Sequence, residues 1–244
     1  MSRRRLGASY RIAVTALRPT IRLFTSHDWR GSENLPDSGG FLVCSNHISD
    51  SDPVALAHFL YDNGHPPYFL AKGALFTVPL VGRVIRGAGQ IPVYRDGPDA
   101  VKAFAPAVEA VRSGKCVAIY PEATVTRDPD LWPMTGKTGA ARVALETGCP
   151  VIPVAQWGAQ ALLPYHAFIP RLFPRKKMQV VAGPPVQLDD LQAKPLDVTV
   201  MREATARILA DVTALLAHIR VGETPPATPY DRRNMKRNLK GKAS

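Results

Sequence analysis

The sequence predicts an α/β fold: a single domain with a mostly buried, mixed sheet covered by helices, preceded by an N-terminal amphipathic helix. Two observations support this prediction. A chain of 244 residues can bury one substantial core but is short for two independent domains. Short apolar runs of β type also alternate with helical patterns along most of the chain, which is the order expected of an α/β sandwich.

The N-terminal segment predicts a basic amphipathic helix. Such a helix can lie in a membrane interface, or it can pack on the protein's own core with its arginines in solvent, and periodicity favours neither alternative. Pro19 should kink the helix in both cases. The apolar stripe comprises Tyr10, Ala13, Val14, Leu17, Ile21 and Phe24, and the opposite stripe Arg11, Thr15, Arg18 and Arg22.

Six short apolar runs predict the strands of the sheet. Several are apolar throughout, which indicates strands that are covered on both faces. The runs are FLVCS (41–45), YFLA (68–71), QIPVY (90–94), CVAIY (116–120), VIPVA (151–155) and MQVVA (178–182).

Helical periodicity predicts four helices around the sheet, with glycines as stop signals. The first covers residues 54–60. The second follows residues 101–111 and stops at Gly114, and the third lies within residues 137–147 and stops at Gly148. A later helix places one apolar side on the sheet, formed by Met201, Ile208, Val212, Leu215 and Ile219.

The charge balance indicates a polyanionic partner. Basic residues exceed acidic ones by 31 − 20 = 11, which suits nucleic acid or an anionic membrane, and charge alone does not choose between them. No apolar run approaches the roughly 20 residues that span a bilayer. The basic start also lacks the features of a signal peptide, so we expect the protein on the cytoplasmic side.

The same patterns divide the chain into three segments. Residues 1–30 form the amphipathic helix, which we expect to associate with a membrane, and residues 31–220 form the α/β domain. Residues 221–244 are rich in proline and then in basic residues, which predicts a flexible basic tail.

Several chemistries find no support in the sequence. The three cysteines are odd in number, widely spaced and set among apolar neighbours, which is typical of buried thiols in a reducing compartment. No metal site is expected, because neither a CxxC pair nor an HExxH motif occurs. The stretch TGKTG has Leu131 where a P-loop needs its first glycine, and no GxSxG motif marks a serine hydrolase.

The stretch CSNHISDSDP (44–53) is the strongest candidate for a functional site. His47 follows an apolar strand, at the edge where α/β folds place ligands. Asp52 precedes Pro53 at the start of a helix, so it could serve only as a helix N-cap. It could also hold the imidazole in one tautomer and leave the other nitrogen to accept a proton. The two roles of Asp52 are compatible.

This H-x4-D spacing resembles the signature of the glycerolipid acyltransferases, the group that includes 1-acylglycerol-3-phosphate acyltransferases. Three further blocks follow in the order of that family, so the resemblance covers roughly residues 40–160. The blocks are GQIPVYR (89–95), YPEATVTRD (120–128) and VIPVA (151–155).

The resemblance implies roles for particular side chains. His47 and Asp52 would be the catalytic pair. The third block departs from the family, with Ala123 in place of a common glycine and Val125 in place of a common arginine, whose charge Arg127 could supply. The residues expected to bind the substrate phosphate are Arg95, Lys72, Glu122, Thr124, Arg127 and Lys137.

The resemblance therefore implies an acyltransferase domain in residues 31–220. The expected reaction moves a fatty acyl group from acyl-CoA or acyl carrier protein to the free hydroxyl of 1-acylglycerol-3-phosphate, giving phosphatidic acid. No cofactor beyond the thioester co-substrate is implied. The expected partners are the donor, the lysophospholipid acceptor and an anionic membrane surface, with the protein held peripherally on the cytoplasmic face.

Two alternatives remain open at this point. Another lysophospholipid or a glycolipid could be the acceptor for the same chemistry. A basic nucleic-acid-binding module would also explain the charge, although the sequence carries neither an RNP-type aromatic motif nor a helix-turn-helix signature. The apolar stretch at residues 74–85 could line the path of an acyl chain, but its pattern favours an ordinary core helix.

Overall fold

Seven strands and eight α-helices make up the part of the chain that the computed structural model describes, which is residues 8–93, 102–165 and 167–231. The strands are β1 (Thr25–Arg30), β2 (Phe41–Ser45), β3 (Tyr68–Lys72), β4 (Ile91–Val93), β5 (Cys116–Ile119), β6 (Val151–Trp157) and β7 (Lys176–Ala182). The helices are α1 (Ala8–Phe24), α2 (Asp52–Asp62), α3 (Val81–Gly87), α4 (Ala105–Arg112), α5 (Gly139–Thr147), α6 (Ala159–Leu162), α7 (Asp189–Gln192) and α8 (Val198–Ile219).

The strands form one mixed sheet in the order β1-β7-β6-β2-β5-β3-β4. Every neighbouring pair is parallel except β6 and β7, which are antiparallel. Strand β2 lies in the middle, between β5 and β6. The carboxyl ends of β2, β3, β5 and β6 therefore meet at one edge of the sheet, and His47 follows β2 at this edge.

Both faces of the central strands are buried, as the continuous apolar runs predict. All five residues of β2 are buried. Alternate residues face opposite sides: Leu42 and Cys44 pack in the cluster with α4, α5 and α8, and Phe41 and Val43 pack in the cluster with α2. The six predicted strands are all confirmed, and the three cysteines are free and buried.

The predicted helices are confirmed, with small shifts of their ends. Gly148 ends α5 with a φ of +65°, which a residue without Cβ adopts at little cost. The helix predicted from residue 101 begins as α4 at Ala105, after a 3₁₀ turn at Lys102–Phe104. The last helix, α8, begins where the Asp197 carboxylate accepts hydrogen bonds from the amides of Thr199 and Val200.

Strand β1 is a feature that the sequence prediction missed. Residues 25–30 were assigned to the N-terminal segment, but they pair in parallel with β7 along their whole length. The strand TSHDWR carries no apolar alternation, because it lies at the edge of the sheet and much of it is exposed. The strand forms through its backbone hydrogen bonds to β7, and such bonds do not require a particular pattern of side chains.

The core helix favoured for residues 74–85 is wrong. The segment forms a 3₁₀ turn at Gly73–Thr77 and the short helix α3, separated by a bend at Leu80 with a φ of +65°. The described residues leave several of its apolar side chains uncovered. The exposed ones are Leu75, Val78, Leu80 and Val84.

Helix α1 packs on the domain along one side. Arg18 and Arg22, which the sequence places on the polar stripe, donate to the Asp62 carboxylate of α2 at 2.6 and 3.3 Å. Arg175 donates to the carbonyls of Arg22 and Thr25 at the end of the helix, where a cation is favoured. No helix in the described part of the chain is long and apolar enough to cross a bilayer.

The first residues of the predicted basic tail also contact the domain. The Thr135 amide donates to the Tyr230 carbonyl at 3.0 Å. The first part of the tail, which the structure describes up to residue 231, is therefore connected to the domain through Tyr230. Its basic part, residues 232–244, lies outside the described residues, as do residues 1–7.

A buried histidine joins β1 to α2. The ring of His58 lies edge-on to His27 and Trp29, with centroids 4.6 and 4.8 Å away. Neither ring nitrogen makes a hydrogen bond within the described structure, and Asp62 Oδ2 lies 3.6 Å from Nε2. Burial lowers the pKa of His58 to about 4, although the Asp62 charge opposes this shift.

We expect His58 to make the stability of the fold depend on pH below neutrality. Between its folded pKa of about 4 and the unfolded value of about 6.5, the unfolded chain binds a proton that the folded chain does not. The free energy of unfolding should therefore fall as pH is lowered through this range. His58→Phe should flatten this fall, as measured by urea unfolding at several pH values. An unchanged slope in the variant would contradict the assignment.

Candidate active site

The loop after β2 brings His47 and Asp52 together. His47 Nδ1 lies 2.8 Å from Asp52 Oδ2. The Asp52 side chain is fully buried, whereas the His47 side chain is 14% exposed and lines a cavity. The five-residue spacing closes because the chain turns sharply between the strand and α2. The predicted pair is thus in hydrogen-bond contact, with the imidazole between the carboxylate and the cavity.

Asp52 also determines the shape of this loop. Its Oδ2 accepts hydrogen bonds from the amides of Ile48 (2.5 Å) and Ser49 (2.8 Å). Both amides precede α2, whose N-cap is Ser51. Asp52 therefore does not act as the N-cap of α2, which is the alternative role that its place before Pro53 suggested. The same oxygen therefore receives the imidazole and two backbone donors.

These contacts determine which nitrogen of His47 carries the proton. Burial raises the pKa of Asp52, and the hydrogen bonds from His47, Ser49 and Ile48 oppose this shift. A carboxylate oxygen can only accept, so the Nδ1 that faces it must be the protonated nitrogen. Nε2 is then the nitrogen that can accept a proton from a molecule in the cavity.

Three polar residues that the sequence analysis did not select support the imidazole. Tyr120 contacts the ring, and Gln156 and Asn46 position Tyr120 through hydrogen bonds. The His47 ring stacks on Tyr120, with centroids 4.3 Å apart. The Tyr120 hydroxyl accepts from Gln156 Nε2 at 3.3 Å. The Asn46 carboxamide donates to the Gln156 carbonyl and accepts from the Gln156 amide. It thus bonds to the backbone of β6 as the backbone of a neighbouring strand would. Asn46 and Gln156 each come directly after an apolar run, and this position is the sequence signal that could have identified them.

The serines of the loop fasten it to the opposite side of the site. Ser49 Oγ donates to the Leu163 carbonyl at 2.6 Å, and Ser51 Oγ donates to the Ala159 carbonyl at 3.1 Å. Ser51 is also the N-cap residue of α2, so the start of that helix is connected to α6 and the residue after it. These hydroxyl protons are used to bind carbonyl groups.

Glu122 supports His47 through the backbone. Its two carboxylate oxygens accept from the amides of His47 and Met134, both at 3.0 Å. The side chain is buried, which raises the pKa of Glu122 to about 8, although both amide bonds oppose the shift. With its oxygens on backbone amides, Glu122 does not fit the phosphate-binding role predicted for it. It joins the His47 loop to the third block.

The departures of the third block from the family now have a physical meaning. Ala123 has a φ of +63°, a conformation that glycine adopts at lower cost. Val125 is buried and lines the cavity. Arg127 is exposed and lines the cavity, so the charge lies two positions further along.

A cavity of about 1070 Å³ opens in front of His47. Of the predicted phosphate-binding residues, Lys72, Thr124, Arg127 and Lys137 line it, which brings three cations to the same space as the imidazole. Arg95 lies outside the described residues. No group of three or more histidine, cysteine or acidic side chains suited to a metal ion occurs in the described part of the chain.

The remainder of the cavity wall is mostly apolar. It is formed by α1, α2, β3 and the segment around α3, so residues 74–85 do contribute to the cavity as the less favoured alternative supposed. Two residues of the apolar stripe of α1, Val14 and Ile21, also line it. The apolar residues include Val14, Ile21, Val54, Phe69, Leu70, Leu75, Val84, Ile85 and Phe104.

Comparison with known proteins identifies the family. A family model named acyltransferase matches residues 27–157, more than half of the chain. The chain belongs to this acyltransferase family. The matched region contains the His47–Asp52 pair, Glu122 and Gln156. The resemblance of the H-x4-D motif and the later blocks to acyltransferases is therefore confirmed.

Two curated relatives carry the name 1-acyl-sn-glycerol-3-phosphate acyltransferase. The acyltransferase is 34% identical over 125 residues to the protein from Borreliella burgdorferi, covering 51% of this chain and 48% of that one. It is 33% identical over 147 residues to chloroplastic BAT2 from Brassica napus, covering 59% and 41%. The chain thus spans about half, or less, of the length of these relatives.

A solved structure shares the fold. The crystal structure of the 1-acyl-sn-glycerophosphate (LPA) acyltransferase PlsC from Thermotoga maritima matches with a TM-score of 0.62 at 24% identity. The match covers 89% of this chain and 81% of that one. The mixed α/β fold predicted from the sequence is thereby confirmed.

We expect Glu122→Gln to destabilise the acyltransferase, because the glutamine nitrogen cannot accept from an amide and one buried donor loses its partner. The loss should be about 1–3 kcal/mol of unfolding free energy at pH 6. Glu146→Gln, exposed on α5, should change this free energy by less than about 0.5 kcal/mol.

The loss in Glu122→Gln should also shrink as pH rises. The folded carboxyl keeps a proton, up to a pKa of about 8, that the unfolded chain releases near its ordinary value. Wild-type stability therefore falls between these pH values, whereas glutamine does not titrate. Urea unfolding of the three proteins at pH 6 and pH 9 measures both effects. A loss that grows with pH would contradict the raised pKa.

Proposed function

We propose that the protein moves a fatty acyl group from a thioester of CoA or acyl carrier protein to the free hydroxyl of 1-acylglycerol-3-phosphate, giving phosphatidic acid. The observation that carries this proposal is the His47–Asp52 pair at a cavity that three cations and many apolar side chains also line. A lysophosphatidate presents matching groups, namely a hydroxyl, a phosphate and an acyl chain. The names of the curated relatives support the same acceptor.

In this reaction His47 acts as a general base. Nε2 takes the proton of the acceptor hydroxyl as its oxygen attacks the thioester carbonyl carbon. The tetrahedral intermediate then collapses, the carbon–sulfur bond breaks, and the thiolate leaves with the proton returned by the imidazolium. Asp52 stabilises the imidazolium through Nδ1–H. General-base help of this kind is worth roughly 10²- to 10⁴-fold in rate.

The phosphate of the acceptor would be held by cations of the cavity. Lys72 is the last residue of β3. The Lys137 amide donates to the Pro121 carbonyl at 2.8 Å, which keeps the segment of Lys137 next to the third block. Arg127 provides the third charge. A dianionic phosphate needs several donors, and three separate segments supply them here.

We also propose that the protein works on the cytoplasmic face of the membrane as a peripheral protein. Its acceptor and product are amphiphiles, and the net charge of +11 favours an anionic surface. The basic N-terminal segment supports this location. Another lysophospholipid or a glycolipid remains the alternative acceptor, and the cations favour one that carries a phosphate.

We expect His47→Ala to abolish turnover and Asp52→Asn to lower kcat by at least about 10²-fold. The asparagine oxygen can still accept from the Ile48 and Ser49 amides, so the loop should persist while the negative charge is lost. Steady-state acyl transfer from acyl-CoA to 1-acylglycerol-3-phosphate measures both effects.

The matched control for these variants is Asp50→Asn. Asp50 is an exposed carboxylate that lines the same cavity, two residues from Asp52. Its removal should change kcat by only a few fold, because it makes no contact with the imidazole. A kcat near the wild-type value in Asp52→Asn would reject the proposed mechanism. Failure of the wild type to transfer an acyl group to any lysolipid would reject the proposed function.

Lys137→Ala should act on the binding of the acceptor. We expect the KM for lysophosphatidate to rise about tenfold or more, with a smaller change in kcat, since a charge-assisted contact is worth about 1.5–3 kcal/mol. The KM for a monoacylglycerol, which lacks the phosphate, should not rise. Arg202→Ala, which removes an exposed cation on α8, is the control. An unchanged KM for lysophosphatidate would remove Lys137 from the site.

A further inference from the structure

Residues 167–175, between α6 and β7, expose large apolar side chains. Phe168 is 98% exposed, Ile169 82% and Phe173 77%. Three such residues within six positions form a local apolar surface that contributes nothing to the core. Contiguous apolar surface of this kind in a soluble protein marks an interaction site.

The loop that carries these residues is held in place. The Arg171 amide donates to the Leu162 carbonyl at 2.7 Å. Phe173 packs edge-on against Phe24 at the end of α1, with ring centroids 5.5 Å apart. The guanidinium of Arg175 binds two carbonyls of the same region. The exposure of Phe168 and Ile169 is therefore a property of an anchored loop.

The charge around the apolar residues has one sign. Residues 158–188 contain Arg171, Arg175, Lys176 and Lys177 and no acidic residue. Arg175 is used to hold α1, and Lys177 pairs with Asp28 at 2.9 Å. Arg171, which is exposed, and Lys176, whose Nζ donates to the Phe173 carbonyl at 3.3 Å, are the other cations beside the apolar residues.

We propose that residues 167–175 form a membrane-docking loop, which inserts Phe168 and Ile169 into an anionic lipid bilayer while Arg171 and Lys176 meet the lipid phosphates. Apolar side chains flanked by cations suit the boundary between hydrocarbon and headgroups, where both kinds of contact are made at once. A protein partner would have to contact the same apolar residues and cations. It could not pair its own cations with this loop, because the loop has no acidic residue.

The loop also leads directly to the candidate active site. Leu163, four residues before it, accepts the Ser49 hydroxyl of the His47 loop, and Tyr165 lines the cavity. Docking would therefore bring the cavity close to the bilayer that contains a lysolipid acceptor. This consequence rests on the proposed function, whereas the docking itself does not.

The test uses the full chain and vesicles of equal parts phosphatidylcholine and phosphatidylglycerol. The double variant Phe168→Ser/Ile169→Ser should lose about tenfold or more of its vesicle affinity in sedimentation, because two apolar side chains no longer insert. Both positions are exposed, so the fold should be unaffected. The control Leu196→Ser/Val221→Ser, which removes two other exposed apolar residues, should bind like the wild type.

A second variant separates the role of charge. Arg171→Glu should weaken binding to the anionic vesicles at low salt and have little effect on vesicles of phosphatidylcholine alone. Wild-type affinity in the double variant, or an equal loss in the control pair, would overturn the docking loop. A wild-type dimer that forms without lipid and is abolished in the double variant would assign the surface to a second copy of the chain instead.

Activity measurements distinguish this proposal from the proposed function. The double variant should acylate a short-chain, monomeric lysophosphatidate at the wild-type rate and should be slower only with acceptor embedded in vesicles. Wild-type protein that binds vesicles through the loop but acylates neither acceptor would reject the acyltransferase reaction and leave the docking loop standing. Equal rates for both proteins on embedded acceptor would reject the loop's part in acceptor delivery.

Discussion

The candidate site depends on one buried carboxylate oxygen, Oδ2 of Asp52. It receives His47 Nδ1 and the amides of Ile48 and Ser49, so a single atom orients the imidazole and shapes the loop that presents it. Burial of such a group is costly unless it is hydrogen-bonded, and here three donors converge on it. The orientation of the imidazole and the shape of the loop cannot be separated, because both depend on the same oxygen.

The rest of the site extends this arrangement across the sheet edge. Parallel strands end together, so residues that follow β2 and β5 or complete β6 meet although they are far apart in sequence. Glu122 binds the His47 amide, and Gln156 holds both Asn46 and Tyr120. These contacts connect the His47 loop to the third block and to the end of β6.

The N-terminal helix contributes to the domain as well as to any membrane contact. Arg18 and Arg22 pair with Asp62, and Val14 and Ile21 line the cavity. These pairs are partly exposed and are therefore worth little individually in stability. Their effect is to hold α1 where Val14 and Ile21 contribute to the apolar wall of the cavity. The helix thus packs on the domain, as one alternative expected, although Arg18 and Arg22 pair with Asp62 there, and membrane association stays a prediction.

The sequence by itself determined the strands with continuous apolar runs, the helices with strong periodicity, and the His47–Asp52 pair, because each produces a local pattern of residue types. Tertiary structure decided what depends on distant partners. Strand β1 exists through its backbone bonds to β7, residues 74–85 form a 3₁₀ turn and a short helix with several exposed apolar side chains, and Glu122 accepts hydrogen bonds from the amides of His47 and Met134. In each case the environment of the residue is supplied by segments far away in the chain, and a local pattern carries no information about them.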